Sequence, residues 1–466
     1  MKITTGIIPI QQQFVGTPQE LDYEAICVFV ATGFFLDTDT YYKGLKVLKP
    51  GRNYLLDDEK TKILSEKAYF KWHYTPKERP LKQIVAEFAE IFETVIKEQT
   101  AGKKVILPLS GGLDSRTQAV ALQHLNIPVQ SYSYAFTGGH DETKYSKRIA
   151  EVCGFSFQDF KVPNGYLWNV IDALAEINNC YSEFTHPRQM AFKEDYAAMG
   201  DVFSLGHWGD VLFDDMAVHD NMNTEEQVSV LLKKIVKKDG LLLAESIWES
   251  QGFAGDFITY FKQRITNLLV AINIPNSANA QIRAFKSLYW APRWTSVNLS
   301  VFQSERPITL PYYDARICNF ICSVPEKFLA GRQIQIEYIK LRLPALAKIT
   351  WQAKRPFNLY NYQYNKTPWN LPYRVINKLQ RITAATPYVQ RNWELQFIGM
   401  QNDKALQGWL FQDFKGEEFV NLDIRKQFYT LFKETDGVFY AHSVSMLLTL
   451  ALFFKQIQPV QIQQKD

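Results

Sequence analysis

The sequence predicts an α/β fold, in which a parallel sheet carries helices on both faces. The apolar run Val105–Leu109 stops at Ser110-Gly111-Gly112, and a helix-like stretch containing Ala119 and Leu122 follows. Further strand-like runs then alternate with helical patterns as far as residue 205. Ahead of the first strand, Leu81–Val95 has apolar residues at helical spacing. Alternation of this kind favours a parallel sheet with both faces covered.

Two units are expected along the chain. Residues 1–75 predict a small β-rich unit, because short apolar and aromatic runs such as Val28–Leu36 are separated by turn signals such as Lys49-Pro50-Gly51. A polar linker with two prolines follows, and residues 81–466 form the main unit. Its predicted strands are Val105–Leu109, Val129–Phe136, Ser156–Val162 and Asp201–Leu205, and its first helices after the loop helix are Asp141–Val152 and Tyr166–Ile177.

Ligands of parallel sheets bind at the carboxyl ends of the strands, and Gly111, Tyr134 and Gly206 are expected at that edge. The C-terminal part is predicted to be mostly helical, as a cover over the site at this edge. Helical patterns occupy Gln227–Val236, Phe257–Ile272 and Ala441–Lys455. The most apolar run, Val444–Phe454, falls short of the ~20 residues that a membrane span needs, so a buried helix is expected. The first residues contain no long apolar segment of the signal-peptide kind. We therefore expect a cytoplasmic protein without membrane contact.

Composition excludes several classes of function. The 52 Lys and Arg residues nearly balance 48 Asp and Glu, which gives no footprint for nucleic acid. The five cysteines contain no CxxC pair, so reduced thiols are expected. The seven histidines form no HxxxH or HxH pair, and no zinc site is predicted.

The loop Ser110–Ser115 has the chemistry of an anion site. Adjacent glycines let a ligand approach the backbone closely, and free N–H groups at the start of a helix attract anions. Asp114 would repel a phosphate unless Mg²⁺ lay between them. The loop is not a Walker loop, because no Gly-Lys-Ser/Thr follows. The alternative is a glycine-rich junction without a ligand.

This loop resembles the SGGxDS pyrophosphate loop of ATP pyrophosphatases, and several motifs in order resemble the asparagine synthetase family, which includes β-lactam synthetases and lasso-peptide cyclases. The resemblance covers roughly residues 81 to 456 and implies an adenine nucleotide alpha hydrolase-like sheet. Besides the loop, the motifs are Ser131–Phe136 with Asp141-Glu142, Gly206–Phe213 (GHWGDVLF), Pro311–Arg316 (PYYDAR), Trp351–Phe357 (WQAKRPF) and His442-Ser443 with Leu447–Phe453.

The resemblance implies ATP and Mg²⁺ as cofactors and a reaction in two steps. A carboxylate is adenylated with loss of pyrophosphate, and an amine then attacks the acyl-adenylate to give an amide. Lys354 matches the catalytic lysine that stabilises the phosphorus centre, and Asp114 and Asp210 match the Mg²⁺ ligands. The positions that match nucleotide contacts are Leu109, Ser110, Gly111, Gly112, Asp114, Ser115, Tyr134, Leu205 and Gly206.

Each of these roles has a structural alternative. The alternative role for Asp210 is that of a helix cap. The alternative for Lys354 is a solvated lysine beside Arg355 without a catalytic role. Asp314 is expected to cap the helix that begins at Ala315 rather than to act in catalysis.

Two departures from the family pattern bear on the substrate. Glutamine-dependent members carry a nucleophilic cysteine after the initiator methionine, whereas this chain has Lys2, and Cys27 lies inside an apolar run. Residues 34–56 resemble only the tail of the glutaminase domain, so residues 1–75 are expected to be its truncated remnant without glutaminase activity. Ammonia would then come from solution or from a separate ammonia-supplying subunit, or another amine would replace it.

The second departure is His207, which stands where asparagine-forming members carry Glu and β-lactam-forming members carry Tyr. His207 is a candidate to orient or deprotonate the incoming amine, or it merely fills the pocket wall beside Trp208. Aspartate as the substrate, and asparagine biosynthesis with it, are thereby put in question.

The leading hypothesis is an AMP-forming amide ligase that joins a small-molecule or peptide carboxylate to ammonia or another amine. One alternative is a cyclase of the same family that tailors a peptide or a polysaccharide. A second alternative is a degenerate module that binds nucleotide without turnover.

Overall fold

The computed structural model describes residues 1–137, 143–184, 188–382, 396–397 and 399–462, and it has the predicted fold class. A five-stranded parallel sheet with the order β10-β9-β6-β7-β8 is flanked by helices. The strands within these ranges are β1 Lys2–Thr4, β2 Phe14–Gly16, β3 Leu45–Val47, β4 Arg52–Leu56, β5 Ile63–Ala68, β6 Val105–Pro108, β7 Val129–Phe136, β8 Ser156–Val162, β9 Val202–Ser204 and β10 Ile308–Thr309.

The register of the parallel sheet aligns the first residues of three strands. Val105 of β6 pairs with Val129 of β7 and with Val202 of β9, so the three strands start at the same level. Strands β7 and β8 have the predicted bounds. The edge strand β10 was not predicted, because its two residues are too few to show a pattern.

Helices account for most of the remaining chain, and the predicted helical segments are confirmed wherever the structure describes them. Asp141 and Glu142 lie outside the described residues. The α-helices are α1 Tyr23–Thr32, α2 Leu81–Gln99, α3 Leu113–His124, α4 Thr143–Cys153, α5 Tyr166–Asn178, α6 Tyr196–Met199, α7 Gly209–Phe213, α8 Thr224–Ile235, α9 Lys238–Ser250, α10 Phe257–Ile272, α11 Ala278–Phe285, α12 Ser296–Gln303, α13 Ala315–Cys322, α14 Glu326–Leu329, α15 Gln333–Arg342, α16 Pro344–Ala347, α17 Leu371–Ile382, α18 Met400–Gln407, α19 Leu422–Thr430 and α20 Ala441–Ile462.

The N-terminal unit contains the expected short strands and one helix that the sequence pattern did not reveal. Strands β1, β4 and β5 form an antiparallel sheet, and β2 pairs with β3. Helix α1 occupies part of the run that was predicted as strand-like. Its ends are fixed by the Asp22 carboxylate, which accepts the Ala25 N–H at 3.1 Å, and by Gly33 with φ +82°. Short apolar runs do not distinguish a buried helix from a buried strand.

Helix α1 is enclosed by the main unit. Ala25–Thr32 are buried, and the ring of His442, at the start of α20, contacts the Val30 carbonyl through Nε2 at 2.9 Å. The apolar side chains of α1 and α20 belong to one continuous core. The division of the chain at residues 75–81 therefore stays a prediction.

Helix α20 contains the most apolar run of the sequence, and this run is buried as expected. Val444, Leu447 and Leu450 are each 0% exposed. Within the described ranges, the structure contains no helix with both the length and the apolar character that crossing a membrane requires.

A buried ion pair holds the short helix α7 in place. The Arg283 guanidinium donates to the Glu326 carboxylate at 2.6 and 2.7 Å, and these side chains are 3% and 10% exposed. Arg283 also donates to the carbonyls of Val211 at 3.2 Å and of Asp214 at 2.9 Å. One side chain of α11 thus joins the middle of α7 and the residue that follows it to α14.

Replacing Arg283 by Ala is expected to lower the free energy of unfolding by about 3–5 kcal/mol, because Glu326 is left as an unpaired buried charge. Lys327→Ala is the matched control, since the Lys327–Glu78 pair is 60% and 72% exposed. Its expected loss is about 0–1 kcal/mol. Urea denaturation followed by fluorescence and circular dichroism measures both values. Equal losses in the two variants would contradict this view of the α7 anchor.

Candidate functional site

The loop between β6 and α3 presents free backbone donors. The Ser110 N–H donates to Ser115 Oγ at 3.1 Å, and the Gly112 N–H donates to Ser110 Oγ at 3.2 Å. Gly112 is the N-cap of α3, and no side chain caps the helix. In the described part of the chain, no acceptor receives the N–H groups of Gly111, Leu113 or Asp114. These donors lie at a helix start, which is the position where the anion cradle is predicted, and its binding of an anion stays a prediction.

The segment that carries Lys354 packs directly on this loop. The Gln352 N–H donates to the Gly111 carbonyl at 3.3 Å, and a Cβ atom at position 111 would lie 2.7 Å from Gln352 Cβ. Gly111 is therefore required for close packing of a protein segment as well as for access of a ligand. Lys354 Nζ lies 5.8 Å from the centroid of the Trp351 ring. The glycine-rich loop and the segment that carries Lys354 are thus in contact, although they are far apart in the sequence.

Arg116, on α3, also joins the loop to the segment that precedes Lys354. Its guanidinium is fully buried and donates to the carbonyls of Ile349 at 3.1 Å, Thr350 at 3.0 Å and Gly111 at 3.3 Å. No carboxylate in the described residues pairs with it. Burial lowers the pKa of Arg116 to about 10. These three carbonyls accept hydrogen bonds from the guanidinium and fix the loop against the Lys354 segment, whereas Arg116 Nε is buried without a partner in the described residues.

Asp114 has a basic partner that sequence reasoning missed. Arg332, at the start of α15, forms an ion pair with Asp114 Oδ1, and Gln335 Nε2 donates to the same oxygen at 3.1 Å. Burial raises the pKa of the Asp114 carboxyl, the Arg332 guanidinium lowers it, and the nearby Asp210 carboxylate raises it. Because both donors use Oδ1, the second oxygen of Asp114 remains available as an acceptor.

Asp210 lies beside Asp114, on the same side of the sheet. It belongs to the first turn of α7, and it is exposed. A Cβ atom at the preceding Gly209 would overlap the Asp114 carboxylate, so α7 begins in direct contact with that side chain. The alternative role of Asp210 as an N-cap does not apply, since Trp208 occupies that position.

These two carboxylates fit the requirement of Mg²⁺ in a phosphate site. Mg²⁺ is commonly held by one or two carboxylates, with phosphate oxygens and water completing its shell. Asp114 Oδ2 and the Asp210 carboxylate supply such ligands. Among the described residues, no group of three or more His, Cys, Asp or Glu is placed to hold a metal by itself.

His207 follows Leu205 and Gly206 at the end of β9. Leu205 is 1% exposed, and a Cβ atom at Gly206 would lie 3.3 Å from Asp114 Cβ. The His207 Nδ1 atom is buried and has no hydrogen-bond partner in the described part of the chain. Burial lowers the pKa of His207 to about 4, against the opposing effect of Asp210. At neutral pH this position therefore carries a neutral imidazole.

Lys286 is a second residue that sequence reasoning missed. It opens a π-helical segment, Lys286–Thr295, and its Nζ lies 5.6 Å from the ring centroid of Trp208 and 5.2 Å from that of Trp290. Burial lowers the pKa of Lys286 to about 8, with Asp210 as the largest opposing influence. A single lysine in a helical sequence gives no signal of such an environment.

The remaining predicted positions lie at the same edge of the sheet or cap a helix. The Leu109 N–H donates to the Tyr132 carbonyl at 2.8 Å, and Tyr134 follows two residues later in β7, with its ring centroid 5.8 Å from that of Phe192. Asp314 caps α13 as predicted, because its carboxylate accepts the Arg316 N–H at 3.0 Å.

Comparison with known proteins gives one family and one solved structure to report. Residues 87–192 match the family described as asparagine synthase. The matched range includes the loop and Tyr134 and ends before Gly206, Asp210 and Lys354. No curated protein matches the chain.

The structure of NMN synthetase from Francisella tularensis is similar at 13% identity, with 45% of this chain and 93% of that chain covered and a TM-score of 0.23. A TM-score this low supports no conclusion about the fold of this chain. The fold is established by the strand order and register described above. The range 87–192, over which the chain is similar to the asparagine synthase family, contains the glycine-rich loop and all of α3.

Proposed function

We propose that this protein is an ATP-dependent, AMP-forming amide ligase, which activates a carboxylate as its acyl-adenylate for attack by ammonia or another amine. The observation that carries the proposal is the uncapped start of α3, with free N–H groups at Gly111, Leu113 and Asp114 beside the carboxylates of Asp114 and Asp210. The match of residues 87–192 to the asparagine synthase family supports a synthetase of the ligase type.

In this proposal, the loop binds the β- and γ-phosphates of ATP. The free N–H groups donate to phosphate oxygens, and the helix start adds a favourable dipole. Asp114 Oδ2 and Asp210 would hold Mg²⁺, which neutralises charge on the departing pyrophosphate when it is bound. Arg332, which already neutralises one oxygen of Asp114, lowers the repulsion between that carboxylate and the phosphates.

Lys354 supplies positive charge from the segment that packs on the loop. The contacts of Arg116 and Gln352 with the loop hold its segment beside the cradle. A fixed cation stabilises the negative charge that develops on the α-phosphate more than it stabilises the ground state. The same cation favours the tetrahedral intermediate of the second step.

The nitrogen donor is proposed to reach the site as a free amine or as ammonia. Cys27, the cysteine of the N-terminal unit, is 0% exposed, and burial raises the pKa of its thiol. A buried thiol of raised pKa is a poor nucleophile for glutamine hydrolysis. A separate ammonia-supplying subunit remains part of the proposal, and the acid is a small-molecule or peptide carboxylate.

A second candidate function is nucleotide binding without turnover. The ion pair between Arg332 and Asp114 favours it, since a neutralised carboxylate binds a metal ion less strongly. Release of pyrophosphate from ATP, measured with Mg²⁺, ammonium chloride and a panel of carboxylic acids, separates the two functions. Acid-dependent release supports the ligase, and tight ATP binding without any release supports the binding module.

Lys354→Ala is expected to lower kcat for pyrophosphate release by about 10²–10³-fold, because a preorganised charge in the transition state is lost. Lys348→Ala, at an exposed position nearby, is the control and should retain activity. The pyrophosphate assay with saturating ATP measures both. Full activity in the Lys354 variant would remove this residue from the mechanism.

Asp210→Asn is expected to raise the Mg²⁺ concentration at half-maximal pyrophosphate release by at least about tenfold, since one anionic ligand becomes a neutral amide. Asp195→Asn, at an exposed position, serves as the control. A magnesium titration at fixed ATP gives both values. An unchanged titration in Asp210→Asn would be incompatible with the assignment of this carboxylate to the metal.

A further inference from the structure

Helix α17, Leu371–Ile382, is amphipathic, and its apolar side chains are turned to the solvent. A surface helix normally packs by its apolar face. Here the two side chains on the opposite, polar side, Tyr373 and Asn377, are the half-buried ones. The exposed apolar side chains, which we call the α17 face, are Leu371 at 44%, Val375 at 54%, Ile376 at 52% and Leu379 at 56%.

Aromatic side chains that precede the helix are exposed as well. Trp369 is 62% exposed, and Tyr360 and Tyr364 are each 45% exposed. The rings of Tyr364 and Trp369 lie 5.7 Å apart, between centroids, at 65° to each other. Exposed apolar side chains grouped in this way mark a surface that interacts with something outside the chain. Tyr and Trp suit a boundary where one end of the side chain meets apolar matter and the other meets water.

The same part of the sequence has a strong positive charge. Residues 338–393 contain ten Lys or Arg and no Asp or Glu, which leaves 42 basic against 48 acidic residues in the rest of the chain. Lys366, Arg374 and Lys378 are exposed, and among the described residues none of them forms an ion pair. Arg374 and Lys378 belong to α17 itself, so free cations border the α17 face.

This combination of charge and apolar surface fits an anionic lipid surface. A nucleic acid would use the cations and leave the apolar side chains in water. A second copy of this chain would bring two basic surfaces together, which like-charge repulsion opposes. A bilayer with anionic headgroups satisfies both parts, because an amphipathic helix lies in its interface with the apolar side chains inserted and the Lys and Arg at the phosphates.

The length of the helix agrees with binding at the surface rather than insertion across the bilayer. Twelve residues of helix extend over about 18 Å, and the hydrocarbon core is about 30 Å thick. Long cationic side chains at the edge of an inserted helix keep their charged ends at the headgroups.

We propose that α17 binds an anionic membrane surface, with the α17 face inserted among the lipids and Lys366, Arg374 and Lys378 at the headgroup phosphates. This proposal departs from the expectation, drawn from the sequence, of a protein without membrane contact. It does not depend on the reaction proposed above.

A series of ring contacts connects this surface to the segment that carries Lys354. Lys354 Nζ lies 5.8 Å from the ring centroid of Trp351, and that ring lies 5.4 Å from the ring of Tyr362. Tyr362 begins the helical turn Tyr362–Tyr364, whose last ring contacts Trp369. The proposed membrane surface and the proposed ATP site therefore share one continuous stretch of the chain.

Flotation of the full chain with lipid vesicles tests the proposal. The protein should float with vesicles of equal parts phosphatidylcholine and phosphatidylglycerol and not with phosphatidylcholine alone, and 0.5 M NaCl should weaken the binding. Val375→Ser with Leu379→Ser is expected to lower the partition coefficient by at least about tenfold, because apolar surface is removed from the inserted side.

The matched control is Val270→Ser with Leu242→Ser, since these side chains are 66% and 41% exposed on other helices. It should float like the native protein. Both double variants change exposed side chains, so their urea midpoints should equal that of the native protein, and loss of binding cannot then be ascribed to unfolding. Equal flotation of the two double variants, or no flotation of the native protein, would overturn the proposal.

A fluorescent label distinguishes insertion from attraction by charge. The native cysteines are all buried, so a thiol-reactive nitrobenzoxadiazole dye should label Val375→Cys selectively. Its emission should shift to the blue on anionic vesicles, whereas the same dye on Val270→Cys should not respond. An unshifted label at position 375 contradicts insertion.

Two other occupants of the α17 face would show themselves in the same variants. Sedimentation velocity that finds a native dimer and a monomeric Val375→Ser, Leu379→Ser variant would make the face a subunit interface. A thiol in Val375→Cys that reacts as slowly as the buried native thiols would mean that another part of the chain covers it. Either result overturns the proposal.

Discussion

The Arg116 guanidinium and its three backbone carbonyls are the contact on which the geometry of the site depends. A cation that is fully buried without a carboxylate costs several kcal/mol unless hydrogen bonds replace its hydration. Here the replacement comes from Gly111 on one side and from Ile349 and Thr350 on the other. The hydrogen bonds that offset the cost of burying this charge therefore hold the glycine-rich loop and the Lys354 segment together, although more than 230 residues separate the bonded groups in the sequence.

Around this corner, the site balances charges from distant parts of the chain. Asp114 and Asp210 lie side by side, which by itself would repel a polyphosphate. Arg332 pairs with one oxygen of Asp114, and Lys286 lies near Asp210 against two tryptophans. Because α7 is only five residues long, the buried pair of Arg283 and Glu326 is what fixes Asp210 in this arrangement. The electrostatics of the site thus depend on packing far from the phosphate loop.

The sequence allowed prediction of the elements whose signals are local. The apolar strand before Ser110, the glycine pair and the helix after it are readable because strand, turn and helix each leave a short-range pattern. The position of Gly111, Tyr134 and Gly206 at the carboxyl edge of the sheet followed from the alternation of strands and helices. The roles assigned to these residues, and the boundary between the two units, are still predictions.

What could not be predicted depends on contacts over long distances in the chain. Arg116, Gln118, Lys286 and Arg332 are polar residues in helical sequence, where the ordinary interpretation is a solvated side chain. Their surroundings become visible only once α3, α7 and α15 are packed together and the segment that begins at Lys286 lies against Trp208. The same reason applies to helix α1. Its apolar run fits a buried helix or a buried strand, and only the core that encloses it shows which of the two forms.

The most direct test of the central claim is to identify which phosphate bond of ATP is broken. ATP labelled at the α-phosphate, with Mg²⁺, ammonium chloride and a panel of carboxylic acids, can be resolved into AMP and ADP by chromatography. A loop that holds the β- and γ-phosphates while the adenylyl group moves to an acid predicts labelled AMP and an equal amount of pyrophosphate, both dependent on the acid. Labelled ADP with inorganic phosphate, formed in the presence of the same acids, would contradict the account.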